Sequence, residues 1–270
     1  MLGQHPELYA SAELECFTGS TLLGCQQFAE RVPAVTLHGL LRSLAQLLHG
    51  EQSDAAIAEA RRWFDQRLDW SGAELVGWIE NVIAPLRLVE KSPIHMLRSE
   101  SLARLDEVVK WEPMLHLVRH PLSAMGSLRA AYQRSGRSLT AAEALTSWVT
   151  AHSNILRFTA ELTHNPTLVL RCEGLLAEPE ANLLRVCGHL GVDASSASIT
   201  AMLHPEHSPY ASPGPPSAPS GNDPHWMQAP ALRRQPWVPL PTLSELWLVE
   251  GLEPQLVLRI MSLAEQFGYV

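Results

Sequence analysis

The sequence predicts an α/β fold in which a parallel sheet is flanked by helices. Three short apolar runs carry this prediction, at residues 86–89, 114–118 and 167–170. Segments with helical periodicity separate them, and short apolar strands that alternate with helices are typical of a parallel sheet covered on both faces. The chain has 270 residues, of which 46% are hydrophobic and 18% charged. We therefore expect a single domain over 1–270.

Before the first of these strands, the sequence predicts a helical layer over 33–84. Six leucines at helical spacing, followed by a glycine, predict a helix over 36–49. Ser53 is placed to cap a second helix. Ser71 with Glu74 three residues later forms a capping box, so a third helix is expected to begin there.

The later helices are predicted by prolines at first helical positions and by further capping boxes. They are expected over 98–109, from Pro121, from Thr140 to about 160, over 179–190 and, as a closing pair, from Thr242. Residues 204–241 contain eleven of the 20 prolines. This long segment is predicted to be an irregular cofactor-binding or lid loop.

Composition and charge exclude several classes of protein. The formal net charge is −8, which argues against a general nucleic-acid-binding surface. No segment approaches the roughly 20 apolar residues that span a bilayer, and the first 15 residues lack the features of a signal peptide. The four cysteines form no CxxC pair and have no histidines at zinc-like spacing. We expect a cytoplasmic protein with reduced thiols, no bound metal and no membrane or nucleic-acid partner.

Ligands of parallel sheets bind beyond the carboxyl ends of the strands. Arginines follow two of the three predicted strands directly, and one of these is Arg119. Ser127 lies eight residues further on, in the next predicted helix, so both side chains are placed to reach one phosphate. The alternative, that these are a surface arginine and a helix serine without a binding role, explains the same spacing equally well.

Five segments, in this order, resemble sulfotransferases that use 3′-phosphoadenosine 5′-phosphosulfate (PAPS). They are the strand end Val89–Pro93, the 3′-phosphate segment Leu115–Pro121 with Ser127, Arg171–Leu175 with Pro179, the cofactor loop Gly221–Trp226, and Ala264–Tyr269. The resemblance covers essentially the whole chain. It implies the sulfotransferase fold, with its P-loop-like parallel sheet, and PAPS as the cofactor.

A narrower resemblance concerns the acceptor. Glu143–Trp148 with His152–Ile155 is similar to sulfotransferase domains attached to polyketide and peptide synthases. Those domains act on hydroxyls of natural-product intermediates. The implied partner is a small-molecule hydroxyl acceptor, either free or presented by a carrier protein, and the oligomeric state is left open.

The sequence departs from the family at one point. In the family a strand and a Gly-rich phosphosulfate loop precede the segment that resembles His5–Leu8. We therefore expect this first strand and loop to be missing. Either the chain is an N-terminally shortened version, or it has lost affinity for the cofactor. Gly19–Leu23 has similar letters but follows His5–Leu8 and has no strand pattern before it, so it is not expected to be that loop.

There are three catalytic candidates, and the resemblance implies the roles of two of them. Glu13 matches the base of several branches, with Glu15 as its backup, although a helix-start carboxylate explains Glu13 equally well. Lys91, one of only two lysines, matches a strand-end lysine that faces the sulfate of the donor. His95 is an alternative base. A buried histidine with a purely structural role is more common than a catalytic one. This applies to His95 and even more to His152.

The resemblance also implies the residues that bind the donor. Arg119 and Ser127 would contact the 3′-phosphate, and Trp226 would stack on the adenine. The remaining cofactor-loop candidates are Gly221, Asn222 and Asp223. The predicted function is sulfuryl transfer from PAPS to a hydroxyl. The alternative is a catalytically impaired binding protein or fragment, whereas a P-loop kinase is disfavoured because no GxxxxGK[ST] motif occurs.

Overall fold

The computed structural model describes residues 1–32, 35–109, 112–134, 136–161, 166–237 and 239–269. The strands are β1 (Leu8–Ala10), β2 (Arg87–Val89), β3 (Met114–Val118) and β4 (Thr167–Arg171). The helices are α1 (Leu22–Arg31), α2 (His38–His49), α3 (Asp54–Asp65), α4 (Gly72–Ile83), α5 (Ser99–Val109), α6 (Pro121–Arg134), α7 (Ala141–Glu161), α8 (Cys172–Ala177), α9 (Pro179–Leu190), α10 (Ser196–Met202), α11 (Pro224–Gln228) and α12 (Pro254–Gln266).

The chain divides into two compact units. The first comprises Met1–Lys110 and Leu183–Arg233, and the second comprises Trp111–Asn182 and Arg234–Val270. Each contains one pair of parallel strands together with helices. The predicted α/β class with parallel strands is confirmed, and a single domain over 1–270 stays a prediction.

In the first unit, β1 pairs with β2 in parallel, and the last residues in register are Ala10 and Val89. The strand β2 was predicted, whereas β1 was not. With only three residues, β1 is too short to show the alternation by which a strand is recognised. Because the two strands are parallel, both carboxyl ends lie at the same edge.

The helical layer of the first unit is built on the leucine stripe of α2. Leu40 and Leu44 are fully buried and pack in one cluster with side chains of α3 and α4. The capping box at the start of α4 is confirmed, since the Glu74 amide donates to Ser71 Oγ (3.2 Å) and the Ser71 amide to Glu74 Oε2 (2.7 Å). Residues 33 and 34 of the predicted layer lie outside the described residues, and α1 precedes it.

The Pro-rich segment is attached to α2 through a buried arginine. Arg42 is 1% exposed, and its guanidinium donates to the carbonyl oxygens of Ser212 (2.8 Å) and Ser220 (3.2 Å) and to Gln52 Oε1 (2.6 Å). A buried guanidinium is costly unless its N–H groups are satisfied, and here carbonyls of the irregular segment satisfy them. Residues 212–220 are thereby fixed to the first unit. Within 204–241, residue 238 is not described.

In the second unit, β3 and β4 pair in parallel over five residues, from Met114 opposite Thr167 to Val118 opposite Arg171. Both strands and the helices α6, α7 and α9 agree closely with the prediction. The predicted closing pair differs at its first member. A capping box at Thr242 is present, but it begins a 3₁₀ helix over Leu243–Leu248 instead of an α-helix. In the described parts of the chain, no helix combines the length and apolarity that crossing a membrane requires.

Candidate functional site

A cavity of about 270 Å³ opens at the carboxyl ends of β1 and β2 in the first unit. The end of each strand contributes to its wall, through Ala10 and Ser11 on one side and Val89 and Lys91 on the other. The Ser11 amide donates to the Val89 carbonyl (3.3 Å), which continues the pairing up to the cavity. This is the edge at which parallel sheets bind ligands.

Lys91 and Glu13 form an ion pair at this edge, in which the Lys91 ammonium donates to Glu13 Oε1. The lysine side chain is 52% exposed and that of Glu13 is 20% exposed. A cation and a carboxylate with access to solvent therefore lie together beside the cavity. Two of the three catalytic residues predicted from the sequence are brought into contact.

The predicted cofactor loop lies in the same wall. Asn222, Asp223 and Trp226 line the cavity with Lys91, and the Glu13 amide donates to the Gly221 carbonyl (2.9 Å). The structure thus brings Glu13, Lys91 and the cofactor loop close together, although they are far apart in the sequence. We take these residues as the candidate site of the first unit.

Gly221 is required by close packing as well as by its backbone conformation. Its φ is +116°, and a Cβ atom there would lie 2.4 Å from the Cα of Gly39, at the start of α2. Gly39 in turn packs on the backbone of Glu13, since its own Cβ would lie 2.2 Å from the Glu13 carbonyl oxygen. Glycines at both positions let three backbone segments approach closely beside the ion pair.

Asp223 and Trp226 are held by local hydrogen bonds. The Asp223 carboxylate caps α11, accepting from the amides of His225 (2.7 Å) and Trp226 (3.1 Å). The Trp226 indole donates to the Pro230 carbonyl (3.0 Å) and is half-buried. Asp223 is thus a helix cap that orients the indole, and the ring of Trp226 contributes an aromatic surface to the cavity.

Two further carboxyl groups, those of Glu15 and Glu90, lie near the ion pair and are linked through Ser92. The Glu15 amide donates to Ser92 Oγ (2.9 Å), and the Ser92 hydroxyl donates to Glu90 Oε1. Glu15 is 9% exposed and is a rare non-glycine residue with positive φ, at +51°. Burial and the neighbouring Glu13 carboxylate raise the pKa of Glu15 to about 8, and burial also raises the pKa of Glu90. Glu15 is therefore protonated at neutral pH.

His95 lies apart from the cavity wall, in the 3₁₀ helix Pro93–Leu97. It is 3% exposed, packs edge-on against Phe17 with ring centroids 5.6 Å apart, and has no hydrogen-bond partner for either ring nitrogen among the described residues. Burial and the Arg104 guanidinium lower the pKa of His95 to about 4. The ring is uncharged at neutral pH, and its role as a base stays a prediction.

The segment Gly19–Leu23 starts a helix and does not form an open loop for an anion. Thr21 caps α1 by accepting from the Gly24 amide (3.3 Å). The Leu22 amide donates to the Trp70 carbonyl (2.7 Å) and the Leu23 amide to the Leu68 carbonyl (2.9 Å). Because these donors are engaged, this helix start offers little to a phosphate, in agreement with the sequence analysis.

In the second unit, Arg119 follows β3 directly and Ser127 lies on α6, and both are exposed. The Trp148 indole donates to the Arg119 carbonyl (3.0 Å), which fixes the backbone at the strand end. A strand-end arginine and a helix serine are chemically suited to an anion.

Sequence reasoning assigned no role to Glu173, which organises the same strand end. The carboxylate accepts from the His120 amide (2.9 Å) and from the Tyr269 hydroxyl (2.8 Å). Burial, followed by this bond to Glu173, raises the pKa of Tyr269. Glu173 follows β4 by two residues, so its position after a strand was the signal available in the sequence.

His152 is a core residue, as the sequence analysis favoured. His152 Nδ1 lies 2.8 Å from His116 Nε2, and both rings are buried beside Trp148 and Phe267. Burial lowers the pKa of His116 to about 4, and burial with His116 lowers that of His152 to about 3. Two neutral imidazoles share one hydrogen bond in this core.

Comparisons with known proteins identify the family. The sequence matches, over residues 1–196, a family model described as "Sulfotransferase family". The structure resembles the sulfotransferase domain from the curacin biosynthetic pathway, at 21% identity and a TM-score of 0.72, covering 100% of this chain and 91% of that chain. It also resembles the sulfotransferase domain from the Synechococcus PCC 7002 olefin synthase, at 24% identity and a TM-score of 0.72, covering 100% of this chain and 88% of that chain. The comparison with curated proteins found no match. The two structural likenesses establish a sulfotransferase-domain fold, and since the family model matches more than half of the chain, the protein belongs to the sulfotransferase family.

Proposed function

We propose that the protein transfers a sulfuryl group from PAPS to a hydroxyl acceptor. The observation that carries this proposal is the Lys91–Glu13 ion pair, which lies at the carboxyl ends of two parallel strands beside a cavity. Sulfuryl transfer requires a group that removes the hydroxyl proton and a cation that stabilises charge on the departing oxygen. The ion pair supplies both groups at one place.

Glu13 acts as the base in this proposal. When bound, PAPS supplies the sulfuryl group, and its sulfur–oxygen bond to phosphate breaks as the acceptor oxygen bonds to sulfur. Glu13 takes the acceptor proton, and Lys91 lies beside it to stabilise the negative charge left on the phosphate side. Glu15 is less suited to this role because it already holds a proton at neutral pH.

The residues present suit an adenine nucleotide. Trp226 offers an aromatic face in the cavity wall, and Asn222 offers amide donors and acceptors beside it. Arg119 and Ser127 would bind the 3′-phosphate, as the family resemblance implies. Gly221 and Asp223 would keep the cofactor loop in place, through the close approach to α2 and the cap on α11.

An assay of sulfate transfer from labelled PAPS to a panel of small hydroxyl acceptors tests this proposal. We expect Glu13→Gln and Lys91→Ala each to reduce kcat by about 10²-fold or more. Glu100→Gln is a matched control, since Glu100 is an exposed carboxylate on α5, and it should leave the rate unchanged. Unchanged rates in the Glu13 and Lys91 variants would refute these assignments.

We further propose that the acceptor is presented by an acidic carrier protein. Residues 113–142 contain four arginines and no Asp or Glu, although the chain as a whole is acidic. Three of them, Arg129, Arg134 and Arg137, are exposed on and just after α6. Arg129 and Arg137 line a groove of about 460 Å³, and across the described residues none of the three lies within ion-pair distance of a carboxylate. Such a surface favours a negatively charged partner.

A charge reversal tests the carrier. The double variant Arg129→Glu with Arg137→Glu should weaken binding of a phosphopantetheinylated acidic acyl carrier protein by about tenfold or more at low salt, and less as salt is added. Transfer to a free hydroxyl acceptor should be unchanged. Arg259→Glu, an exposed arginine on α12, is the control. Equal carrier binding by all three proteins would exclude this surface as the docking site.

The alternative is a PAPS-binding protein without transferase activity. It is favoured by the expected absence of the phosphosulfate loop, because Gly19–Leu23, which has similar letters, does not replace it: the Leu22 and Leu23 amides are already engaged. This alternative predicts that 3′-phosphoadenosine 5′-phosphate binds, while no labelled sulfate reaches any acceptor. The same assay combined with calorimetry separates the two functions.

A further inference from the structure

A cluster of two histidines and a glutamate lies at the start of the Pro-rich segment. His204, Glu206 and His207 offer ligand atoms that all lie within 4.8 Å of one another. His204 Nδ1 and Glu206 Oε1 are 2.9 Å apart. The two imidazole rings lie nearly parallel, 14° apart, with centroids separated by 5.3 Å.

The local backbone explains why these side chains meet. Pro205–His207 is a 3₁₀ helix, which has three residues per turn, so positions three apart lie one above the other. His204 and His207 have this spacing, and the His207 amide donates to the His204 carbonyl (3.1 Å). Pro205 is buried and restricts the backbone at the first position of the turn. The cluster is therefore held on a fixed turn and not on a free chain.

We propose that His204, Glu206 and His207 bind a divalent transition-metal ion, with Zn²⁺ as the best chemical match. Two imidazoles and one carboxylate are a common ligand set for zinc, whose bonds of about 2.0–2.2 Å require ligand atoms roughly 3.3 Å apart. One pair, His204 Nδ1 and Glu206 Oε1, already lies closer than that, at 2.9 Å, and both histidines are exposed. One oxygen of the glutamate, Oε2, is buried and has no hydrogen-bond partner among the described residues. No metal was expected from the sequence because its cysteines have no histidines at zinc-like spacing, and this set contains no cysteine.

The metal would stabilise one wall of the cavity. Ser208 and Tyr210 follow the cluster directly and line the cavity at the ends of β1 and β2. Tyr210 is 1% exposed, and its hydroxyl lies 2.6 Å from that of Tyr9 on β1. Since all three ligands lie on one turn, a metal there would restrict the backbone immediately before these residues. This inference does not depend on the proposed sulfuryl transfer.

Calorimetry with Zn²⁺ on chelator-treated full-length protein tests the site. We expect one saturable site, weakened about tenfold or more in His207→Ala and in Glu206→Gln, and unchanged in His49→Ala, an exposed histidine on α2. Saturating Zn²⁺ should raise the melting temperature of the native protein by about 5 °C, and this rise should be lost in both cluster variants.

Three results would overturn the proposal. They are no saturable binding, equal binding by the native protein and the cluster variants, or an equal rise in melting temperature in all proteins. Glu206→Gln keeps the size and local hydrogen bonding of the side chain, so it tests the site even where the alanine variant is unstable.

Discussion

Replacing the buried Glu15 with glutamine should make the protein more stable at neutral pH. Glu15 is 9% exposed, and burial with the nearby Glu13 raises its pKa to about 8 from an ordinary value of 4.5. Between these two values the folded chain holds a proton that the unfolded chain releases. The free energy of unfolding therefore falls as pH rises through this window.

The size of the effect follows from the two pKa values. At pH 7 the unfolded chain has released the proton almost completely while the folded chain retains it, which corresponds to about 3 kcal/mol of lost stability relative to pH 4. Glutamine does not titrate, and its size matches that of the protonated acid. Glu15→Gln should therefore match the native protein near pH 4 and exceed its stability by about 3 kcal/mol at pH 7.

Urea unfolding of both proteins at pH 4, 5.5, 7 and 8 measures this difference. Glu100→Gln, at an exposed position, controls for the loss of one negative charge and should follow the native curve. If Glu15→Gln and the native protein lose stability in parallel between pH 4 and 8, Glu15 is ionised in the folded state. Protonation would then no longer distinguish Glu13 from Glu15 as the base.

Three further substitutions test other parts of the structure. Arg119→Ala should weaken 3′-phosphoadenosine 5′-phosphate binding in calorimetry by about 10- to 100-fold, through loss of a charge-assisted contact, whereas Arg259→Ala should not. Arg42→Met should cost about 2–4 kcal/mol in urea unfolding, because buried carbonyl acceptors lose their donor; an unchanged midpoint would show that the arginine is not needed to hold the Pro-rich segment. Gly221→Ala should weaken nucleotide binding through a clash and a strained φ, while Gly77→Ala, which has open space within 4 Å, should be neutral or stabilising.

Much of the secondary structure could be predicted because its signals are local. The capping boxes at Ser71 and Thr140 mark helix starts through contacts three residues apart, and both boxes are present. The apolar runs at β3 and β4 are five residues long, which is enough to stand out between helices. Periodicity and capping depend on neighbours in sequence, so reasoning from the sequence recovers them.

The missed features depend on partners far away in sequence. Arg42 lies on a leucine-rich helix, where the sequence predicts a surface residue. Its guanidinium is nevertheless hydrogen-bonded to carbonyls that are 170 or more residues away. The strand β1 becomes a strand only through pairing with β2, almost 80 residues later. No local pattern encodes either contact. The part of the candidate site formed by Glu13, Lys91 and Gly221 was suggested by family resemblance, and its assembly through the ion pair and the Gly221 carbonyl required the structure.

The choice between Glu13 and Glu15 shows how backbone conformation decides a chemical role. Residues two apart on an extended chain point to the same side, so the sequence treats these carboxylates as near equivalents. The positive φ of Glu15 breaks this relation. Glu13 remains 20% exposed and meets Lys91, whereas Glu15 is buried with its amide on Ser92. A base must be unprotonated and reachable by the acceptor hydroxyl at working pH. Glu15 is protonated at neutral pH and has little access to solvent, which is why we propose Glu13 as the base.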